Sequence, residues 1–274
     1  IYMKKELNQI SVDIILPNYN SAPYLSKTID SIIDQTFKNW KLIIVDDSSN
    51  IETKKKLKEH ESNPNINIIW LGKNKKAGFC RNLAIRNSQS EYIAFIDSDD
   101  IWRKEKLSKQ LDFMIENNYH FTYTNYQPFE MSKLFKHGLN HLDSFSIIKP
   151  PKYFDYNSFT KNTSIATSTM IIKRSLIGNT KFSNTAICED YFFKCQILKK
   201  IKYACCLSEN LMWYGVREGS LQSNKMRNLY WIWYINKNYN KMNFLKNLLS
   251  IFCISLSSIK RYGFLILLFC SESS

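Results

Sequence analysis

Two short apolar runs that each end in adjacent aspartates constrain the fold of this chain more than any other feature. Residues 41–45 precede Asp46 and Asp47, and residues 92–96 precede the tetrapeptide Asp-Ser-Asp-Asp at positions 97–100. Short apolar runs bounded by polar residues are typical of buried strands. In an open α/β sheet, the carboxyl ends of such strands border the crevice that binds ligands. The pattern therefore predicts acidic side chains at the ligand-binding edge of a sheet.

Helical patterns separate these runs. Residues 12–16 form another apolar run, which Pro17 ends, and Leu25 and Ile29 then recur at helical spacing. Short strands that alternate with helices predict an α/β fold with a doubly wound, mostly parallel sheet flanked by helices. We expect residues 1–215 to form one two-part domain, whose parts meet near residue 125, and residues 216–274 to form a C-terminal helical tail.

Composition and charge restrict the class of protein and its partners. The chain has 274 residues, of which 44% are hydrophobic and 23% charged, so it is predicted to fold rather than remain disordered. Its seven cysteines lack metal-binding spacing and no secretion signal begins the chain, so we expect reduced thiols and a cytoplasmic location. The formal net charge of +14 favours phosphorylated ligands or an anionic membrane surface. No nucleic-acid-binding motif is found, so nucleic acid is not expected as a partner.

The C-terminal tail has a basic amphipathic pattern. Lysines and an arginine surround the apolar residues of positions 244–259, and residues 264–270 form a second apolar stretch beyond Lys260 and Arg261. Those two charges interrupt what would otherwise approach a membrane span of roughly 20 residues. The tail is predicted either to lie on the surface of a membrane or to pack on the core of the protein. The apolar residues that share one helical face are Leu245, Leu248, Leu249, Phe252, Cys253 and Leu256.

The acidic tetrapeptide at positions 97–100 has two physical explanations. Three crowded carboxylates repel one another unless a cation lies between them, and a divalent metal that carries a phosphorylated ligand would suit them. Aspartate is also a favoured residue at the N-terminus of a helix, which is predicted to follow. The tetrapeptide alone does not decide between the two.

Six short motifs, taken together, resemble a known family. They occur in order between residues 12 and 214 with their spacing intact, and they are similar to those of family 2 glycosyltransferases with the GT-A fold. The sequence lacks the QxxRW motif that is expected of the processive synthases of that family, which argues against processive synthesis. The motifs are Pro17-Asn-Tyr-Asn20, Gln35-Thr36-Phe37, Val45-Asp-Asp-Ser48, Arg81-Asn82, Asp97-Ser-Asp-Asp100 and Glu189-Asp190.

The resemblance implies an enzyme that uses a nucleotide-diphospho-sugar, with a UDP-sugar favoured, and a Mn²⁺ or Mg²⁺ ion. It implies an inverting, non-processive transfer to a hydroxyl of a glycan or lipid-linked acceptor in O-antigen, capsule or lipooligosaccharide synthesis. The part before residue 125 would bind the nucleotide, and the part after it would bind the acceptor. Such an enzyme is expected to be peripheral on the cytoplasmic face of the inner membrane, where an anionic surface is a candidate partner.

By resemblance, the motifs also suggest roles for individual residues on the donor side. Asp99 would bind the metal, and Asp97 would reach the metal or the ribose. The ring of Tyr19 would stack on the base, and Asp47 would accept a hydrogen bond from it, whereas Asp46 would hold the turn. The other expected contacts to the nucleotide-sugar are Pro17, Asn20, Arg81, Ser98 and Arg217.

On the acceptor side, the resemblance assigns the catalytic base to Asp190. A carboxylate there would remove the proton of the acceptor hydroxyl. Glu189, Asp100 and Trp102 are expected to contact the acceptor. Each acidic residue also has a simpler explanation, because carboxylates at a helix N-terminus favour the helix dipole and Asp100 could cap the next helix.

Two positions depart from the family pattern, and two other classes of protein compete with this interpretation. Ser48 and Cys188 replace common glycines, which could alter the geometry of their turns. A sugar-nucleotide pyrophosphorylase shares a nucleotide-binding α/β sheet but should carry a glycine-rich loop after its first strand. A basic protein that binds nucleic acid or lipid without catalysis would leave the paired carboxylates unexplained.

Overall fold

The computed structural model of the chain describes residues 10–131, 145–216 and 225–270. The strands are β1 (Val12–Asn18), β2 (Trp40–Asp46), β3 (Ile66–Trp70), β4 (Tyr92–Phe95), β5 (Ile101–Trp102), β6 (Phe121–Glu130), β7 (Tyr153–Phe154), β8 (Ile171–Lys173) and β9 (Ala204–Val216). The helices are α1 (Ala22–Ile33), α2 (Ile51–Lys58), α3 (Lys76–Asn87), α4 (Lys106–Glu116), α5 (Tyr156–Phe159), α6 (Arg174–Ile177), α7 (Glu189–Leu198), α8 (Lys225–Asn238) and α9 (Phe244–Cys270).

The first four strands form the parallel part of one sheet. Their order is β3-β2-β1-β4, and each neighbouring pair is parallel. The chain reverses its direction of winding at β1, because β2 lies on one side of it and β4 on the other. Open α/β sheets bind ligands at the carboxyl ends of strands beside such a point. The predicted α/β fold is confirmed, and the acidic strand ends meet at this edge.

The later strands extend the same sheet in a mixed arrangement. β8 is antiparallel to β4 and β6, whereas β6 is parallel to β9. The sheet is therefore parallel in its first part and mixed in its second, and β6 crosses the boundary expected near residue 125. Residues 166–173, which have the pattern of one strand, instead form a 3₁₀ turn at Thr167–Thr169 followed by β8. The Thr169 hydroxyl stabilises this turn by donating to the Ala166 carbonyl (2.6 Å).

Helices cover both faces of the sheet. On one face, α1, α2 and α4 contribute the apolar side chains of one core cluster, including Leu25, Leu57 and Leu111. On the other face, α3 and α7 pack with Ile235 of α8 and Ile254 of α9 in a second cluster. The sheet is thus the middle of three layers, as the amphipathic patterns of α1 and α4 predict.

The tail forms two helices, α8 and α9, that pack on the second core cluster. Helix α9 continues without a break through Lys260 and Arg261, although the sequence pattern suggested two separate apolar stretches there. No helix within the described residues is long and apolar enough to cross a membrane.

Candidate active site

The loops after β1 and β2 are held together by hydrogen bonds. The Asn18 side-chain amide donates to Asp46 Oδ1 (2.8 Å), and the Ser49 backbone amide donates to Asp46 Oδ2 (3.0 Å). Asp46 is fully buried, and these two hydrogen bonds hold the turn, as predicted. Asn20 Oδ1 accepts from the backbone amide of Asn50 (2.8 Å), which links the first loop to the start of α2.

These loops leave one aromatic ring open to solvent beside the crevice. Tyr19, the residue after β1, is 51% exposed, and Pro17 is partly exposed. An exposed ring on a firmly hydrogen-bonded loop can stack on a planar base. Its neighbour Asn20 instead acts within the loop, because its side chain is bonded to the backbone of Asn50.

Asp47 is bound by the backbone of the turn that follows β3. Its two carboxylate oxygens accept hydrogen bonds from the backbone amides of Lys75 (2.6 Å) and Lys76 (2.8 Å), and the residue is buried. This carboxylate therefore fixes the turn that leads into α3. A hydrogen bond to a base would have to use the lone pairs that these two amides leave on its oxygens.

Arg81 joins the two sides of the crevice through a pair of buried ion pairs. Its Nη2 donates to Asp97 Oδ1 (2.6 Å) and its Nη1 donates to Glu189 Oε1 (2.7 Å), while its side chain is only 6% exposed. Burial disfavours the charged guanidinium, but Asp97 and Glu189 outweigh it and raise the pKa of Arg81. Both terminal nitrogens of Arg81 bind carboxylates, so neither is directed at a phosphate, which was the expected contact.

Close packing supports this bridge. A side-chain carbon added at Gly78, one turn before Arg81, would lie 2.8 Å from the Ser183 carbonyl oxygen and 3.0 Å from Cγ of Glu189. Only glycine allows the start of α3 to approach Glu189 this closely. The bridge thus depends on backbone contact as well as on charge.

The 3₁₀ turn at Thr167–Thr169 connects the aspartate tetrapeptide to the helix that begins at Glu189. The Ser168 hydroxyl accepts from the backbone amide of Asp97 (2.9 Å). The adjacent Thr167 hydroxyl donates to Asp190 Oδ2 (3.0 Å). Two consecutive residues therefore set the position of Asp190 relative to the tetrapeptide.

Asp190 is held as a carboxylate by a buried lysine one turn later in α7. Lys194 Nζ donates to Asp190 Oδ2 (2.7 Å) and to the Ile165 carbonyl (2.8 Å), and its side chain is 3% exposed. Burial alone would raise the pKa of Asp190, but Lys194 and the hydrogen bond from Thr167 lower it to about 2. Both bonds use Oδ2, and no described residue donates a hydrogen bond to Oδ1. An ionised oxygen is thus left for an incoming hydroxyl.

Glu189, the neighbour of Asp190, has the opposite shift. Burial and the charge of Asp190 raise the pKa of Glu189, although Arg81 opposes them. Because its Oε1 accepts from Arg81, Glu189 is tied to the donor side of the crevice. Glu189 thus pairs with Arg81, whereas Asp190 pairs with Lys194.

Asp100, the last residue of the tetrapeptide, is buried rather than open to the crevice. It is 1% exposed, and its Oδ1 accepts from the backbone amide of Gly215 in β9 (2.9 Å). Burial raises the pKa of Asp100 well above its usual range, and the charges of Asp99 and Asp97 add to this effect. The alternative that Asp100 caps the next helix is wrong, because α4 begins at Lys106 and follows Glu105.

Trp102 is also part of the core. It is 2% exposed, and its indole N–H donates to the Ser168 carbonyl (2.9 Å). The structure does not bring this ring to the acceptor side, because the ring is buried and its N–H is bonded to the 3₁₀ turn. Ser98 is mostly buried as well, and Arg217 lies outside the described residues.

The donor set at positions 97–99 fits a hard divalent cation. Asp97 and Asp99 supply carboxylate oxygens, and the pKa of nearby Asp100 is raised by burial and, to a lesser extent, by the charges of Asp99 and Asp97. Within the described residues, no group of three or more His, Cys, Asp or Glu side chains is arranged to hold a metal. Magnesium-type ions are commonly bound by one or two carboxylates together with the phosphates of a substrate. Asp97 and Asp99 would hold the ion in this way.

The sequence comparisons identify the family. The model of Glycosyl transferase family 2 matches residues 13–179. The chain is 34% identical over 236 residues to TuaG of Bacillus subtilis, a putative teichuronic acid biosynthesis glycosyltransferase, and the match covers 86% of this chain and 90% of TuaG. This chain belongs to glycosyl transferase family 2. It is also 32% identical over 223 residues to WfgD of Escherichia coli, a UDP-Glc:alpha-D-GlcNAc-diphosphoundecaprenol beta-1,3-glucosyltransferase, covering 80% of this chain and 82% of WfgD.

Solved structures support the GT-A fold for this family 2 chain. Residues 1–349 of Staphylococcus aureus TarS, solved with UDP-GlcNAc, superpose with a TM-score of 0.67 at 19% identity, covering 93% of this chain and 73% of that one. The mannosyltransferase PcManGT of Pyrobaculum calidifontis, solved with GDP-Man and Mn²⁺, gives a TM-score of 0.66 at 15% identity, covering 89% and 69%. At these identities the likeness is one of fold.

Both positions at which this family 2 chain lacks a common glycine keep a left-handed backbone. Ser48 has φ of 63° and Cys188 has φ of 60°, a region that residues with a side chain rarely adopt. Ser48 lies in the turn after β2, and Cys188 immediately precedes α7. The turns thus retain the geometry that glycine would allow more easily.

Three residues of this site were missed by sequence reasoning. Lys194 had a detectable signal, because a residue four positions after Asp190 on a helix faces the same side. Thr167 and Ser168 had none, because their segment has the apolar pattern of a strand and their partners are distant in sequence.

Proposed function

We propose that this glycosyltransferase moves a sugar from a nucleotide-diphospho-sugar, with a UDP-sugar favoured, to a hydroxyl of a glycan or lipid-linked acceptor. The observation that carries the proposal is that Asp190 is held ionised, and tied through Thr167 and Ser168 to the tetrapeptide at positions 97–100. TuaG is named as a putative glycosyltransferase of teichuronic acid biosynthesis, and WfgD is named for glucosyl transfer to GlcNAc-diphosphoundecaprenol. The proposed pathway is therefore synthesis of O-antigen, capsule or lipooligosaccharide.

The proposed reaction is a single, inverting displacement. The acceptor oxygen attacks C1 of the donor sugar as Oδ1 of Asp190 takes its proton, and the nucleoside diphosphate leaves with the bonding electrons. Asp190 is suited to this because Lys194 and Thr167 bind only Oδ2. With its pKa lowered to about 2, Asp190 is a carboxylate at every physiological pH. The transfer is proposed to be non-processive.

The donor side is proposed to work with Mn²⁺ or Mg²⁺. When bound, such an ion acts as a Lewis acid that stabilises the charge growing on the leaving diphosphate. Asp97 and Asp99 would hold it, while Tyr19 would stack on the base. Arg81 is proposed to orient Asp97 through their ion pair, which leaves the second oxygen of Asp97 for the ion or the ribose.

The acceptor side is proposed to bind its substrate with Glu189 and Asp190. Glu189 is anchored by Arg81, so its second oxygen can accept a hydrogen bond from the acceptor. Because WfgD is named for an acceptor on diphosphoundecaprenol, a lipid-linked acceptor is favoured here too. The enzyme would then work on the cytoplasmic face of the membrane that holds the lipid.

A donor panel with a defined acceptor tests this function. UDP-, GDP- and dTDP-sugars are each incubated with Mn²⁺ and a water-soluble GlcNAc-diphosphate-alkyl acceptor, and products are detected by mass spectrometry. NMR of the product reports the anomeric configuration, which should be inverted relative to the donor. Asp190→Asn serves as the control for background hydrolysis.

Two outcomes would contradict the proposal. Retention of configuration would exclude the single displacement. Release of pyrophosphate from a nucleoside triphosphate and a sugar 1-phosphate, with no transfer from any donor, would identify a pyrophosphorylase instead.

A further inference from the structure

The outer face of α9 is apolar and exposed. Leu245 is 74% exposed and Phe252 is 60% exposed, although both are large hydrophobic side chains. A contiguous exposed apolar surface on a folded protein commonly marks an interaction site. The other exposed apolar residues on this helix are Phe244, Leu248, Leu249, Leu256 and Ile259.

The inner face of α9 combines Ile254, which packs in the second core cluster, with polar residues whose hydrogen bonds fix the orientation of the helix. Asn247 and Ser250 are buried, and both accept from the amide of Asn236 in α8 (3.1 and 3.0 Å). The Ser250 hydroxyl also donates to the Thr160 carbonyl (2.5 Å). Rotating α9 to bury its leucines would break this buried network. The helix thus packs on the core through Ile254, whereas the apolar face predicted from the sequence is exposed.

The charged residues of the tail between positions 219 and 271 are all positive. Residues 219–271 contain no aspartate or glutamate and seven lysines or arginines. Lys241, Lys246 and Lys260 are exposed on or beside α9. Tyrosine and tryptophan are favoured at the interface of a membrane with water, and α8 carries two of each. These aromatic residues are Tyr230, Trp231, Trp233 and Tyr234.

We propose that α8 and α9 form a docking surface for a bilayer that contains anionic phospholipids, with α9 lying in the plane of the membrane surface. An apolar face flanked by lysines matches lipid chains beside anionic headgroups. A second copy of this chain fits less well, because a symmetric contact would bring the same positive residues of both copies together.

The docking surface is connected to the proposed site. The Tyr191 hydroxyl, one residue after Asp190, donates to Asn236 Oδ1 of α8 (2.7 Å). The Cys188 thiol, just before α7, lies 3.9 Å from the Asn228 carbonyl of α8. This inference rests on the proposed function for its purpose, because a docked enzyme would meet a lipid-linked acceptor at the surface that holds it.

Vesicle flotation of the full chain tests the docking surface without using activity. Phosphatidylcholine vesicles with about 30% phosphatidylglycerol provide the anionic surface, to which basic segments are attracted. Vesicles of phosphatidylcholine alone provide the neutral surface. We expect binding to the anionic vesicles that decreases as salt is raised from 0.05 to about 0.5 M. The double variant Leu249→Gln/Phe252→Gln should lower the affinity about tenfold or more, because it removes apolar contact with lipid. Ile51→Gln, which changes an even more exposed apolar residue on α2, is the matched control and should bind normally.

A second pair of variants separates charge from apolar contact. Lys246→Gln and Lys260→Gln should each lower the affinity for anionic vesicles about fivefold at low salt. Lys55→Gln and Lys58→Gln, exposed lysines on α2, should have much smaller effects. Point variants are preferable to truncation after Lys241, because truncation would also remove the buried partners of Asn236.

The possible outcomes are distinct. Failure of the wild-type chain to float with anionic vesicles, or equal binding by all α9 variants, would overturn the docking surface. A dimer in analytical ultracentrifugation that Leu249→Gln/Phe252→Gln dissociates would identify the face as an interface between copies, which also overturns it. Transfer to the water-soluble acceptor tests the proposed function separately, since it does not require a membrane.

Discussion

The donor side and the acceptor side of the candidate site differ in what surrounds their carboxylates. On the donor side, Asp97, Asp99 and Asp100 lie close together, and burial with their mutual repulsion raises the pKa of Asp100. On the acceptor side, Asp190 is paired with the buried ammonium of Lys194, which lowers its pKa to about 2. The acceptor side thus contains a cation of its own in Lys194, whereas the donor side shares Arg81 between Asp97 and Glu189.

This difference indicates which groups the enzyme must acquire and which it already has. A carboxylate that must accept a proton benefits from a fixed partner, because its position and ionisation are then set before the acceptor arrives. Carboxylates that bind a cation together with a diphosphate must instead have oxygens that the cation can reach. Arg81 belongs to both sides, since it pairs with Asp97 and Glu189.

The largest expected effect comes from removing a carboxylate on the donor side. Asp99→Ala should abolish metal-dependent binding of UDP, because the ion would lose a principal protein ligand. Calorimetry with UDP and Mn²⁺ measures this, and Asp30→Ala, which removes an exposed aspartate from α1, is the control. Wild-type affinity in Asp99→Ala would remove Asp99 from the metal site.

Replacing the proposed base should affect turnover but not donor binding. Asp190→Asn should lower transfer by about 10²–10⁴-fold, because the amide keeps the shape of the side chain but cannot accept the proton. The affinity for the UDP-sugar and turnover are measured on one preparation. Loss of donor affinity would move Asp190 to the nucleotide site, and substantial transfer would point to Glu189 as the base.

Removing the cation from the acceptor side should shift the pH dependence. Lys194→Met eliminates the interaction that lowers the pKa of Asp190, so burial then raises it and the acidic limb of kcat moves to higher pH. The loss at neutral pH should be smaller than for Asp190→Asn, on the order of tenfold, since the carboxylate remains. A pH profile of kcat measures the shift.

Lys194→Arg is the matched control for this change. It keeps a cation beside Asp190, so the acidic limb should stay near its wild-type position. A loss of stability in Lys194→Met with an unchanged pH profile would mean that Lys194 acts only in packing.

The smallest expected effect concerns the turns on the two sides. Ser48→Gly and Cys188→Gly should each stabilise the fold by about 0.5 kcal/mol, because glycine adopts positive φ without steric cost. The gain is small because glycine loses more chain entropy on folding. Thermal unfolding monitored by circular dichroism measures this. Ser26→Gly, in the interior of α1, should instead destabilise by about 0.5 kcal/mol. Destabilisation by Ser48→Gly would show that its hydroxyl, not its backbone, holds the turn.

Sequence patterns predicted the first half of the molecule better than the second. The strands β1, β2 and β4 and the helix α1 were recognised because each buries a continuous or periodic apolar face, which is a local signal. Residues 166–173 have the same local signal, but a 3₁₀ turn forms there because Ser168 and Thr169 make hydrogen bonds with distant segments. Contacts between segments far apart in sequence leave no trace in local periodicity.

The roles of individual site residues were harder to predict than the site itself. The strand-end positions brought Asp97, Asp99 and Asp100 to one edge, as expected. Their separate environments depend on partners such as Gly215 and Arg81, which no spacing rule identifies. Trp102 illustrates the same limit, because its burial follows from the packing of the whole sheet. The roles of Asp99 and Asp190 remain predictions.

The buried side chain of Asn236 has a consequence for how the molecule unfolds. It accepts from Tyr191 of α7 and donates to Asn247 and Ser250 of α9, so three helices meet at one amide. Opening any one of them would leave buried polar groups without partners, at a cost of about 1–3 kcal/mol for each. We therefore expect α7, α8 and α9 to open as a single cooperative unit in native-state hydrogen exchange. A lipid surface that protects the amides of α9 should then also slow exchange in the helix that begins with Glu189 and Asp190.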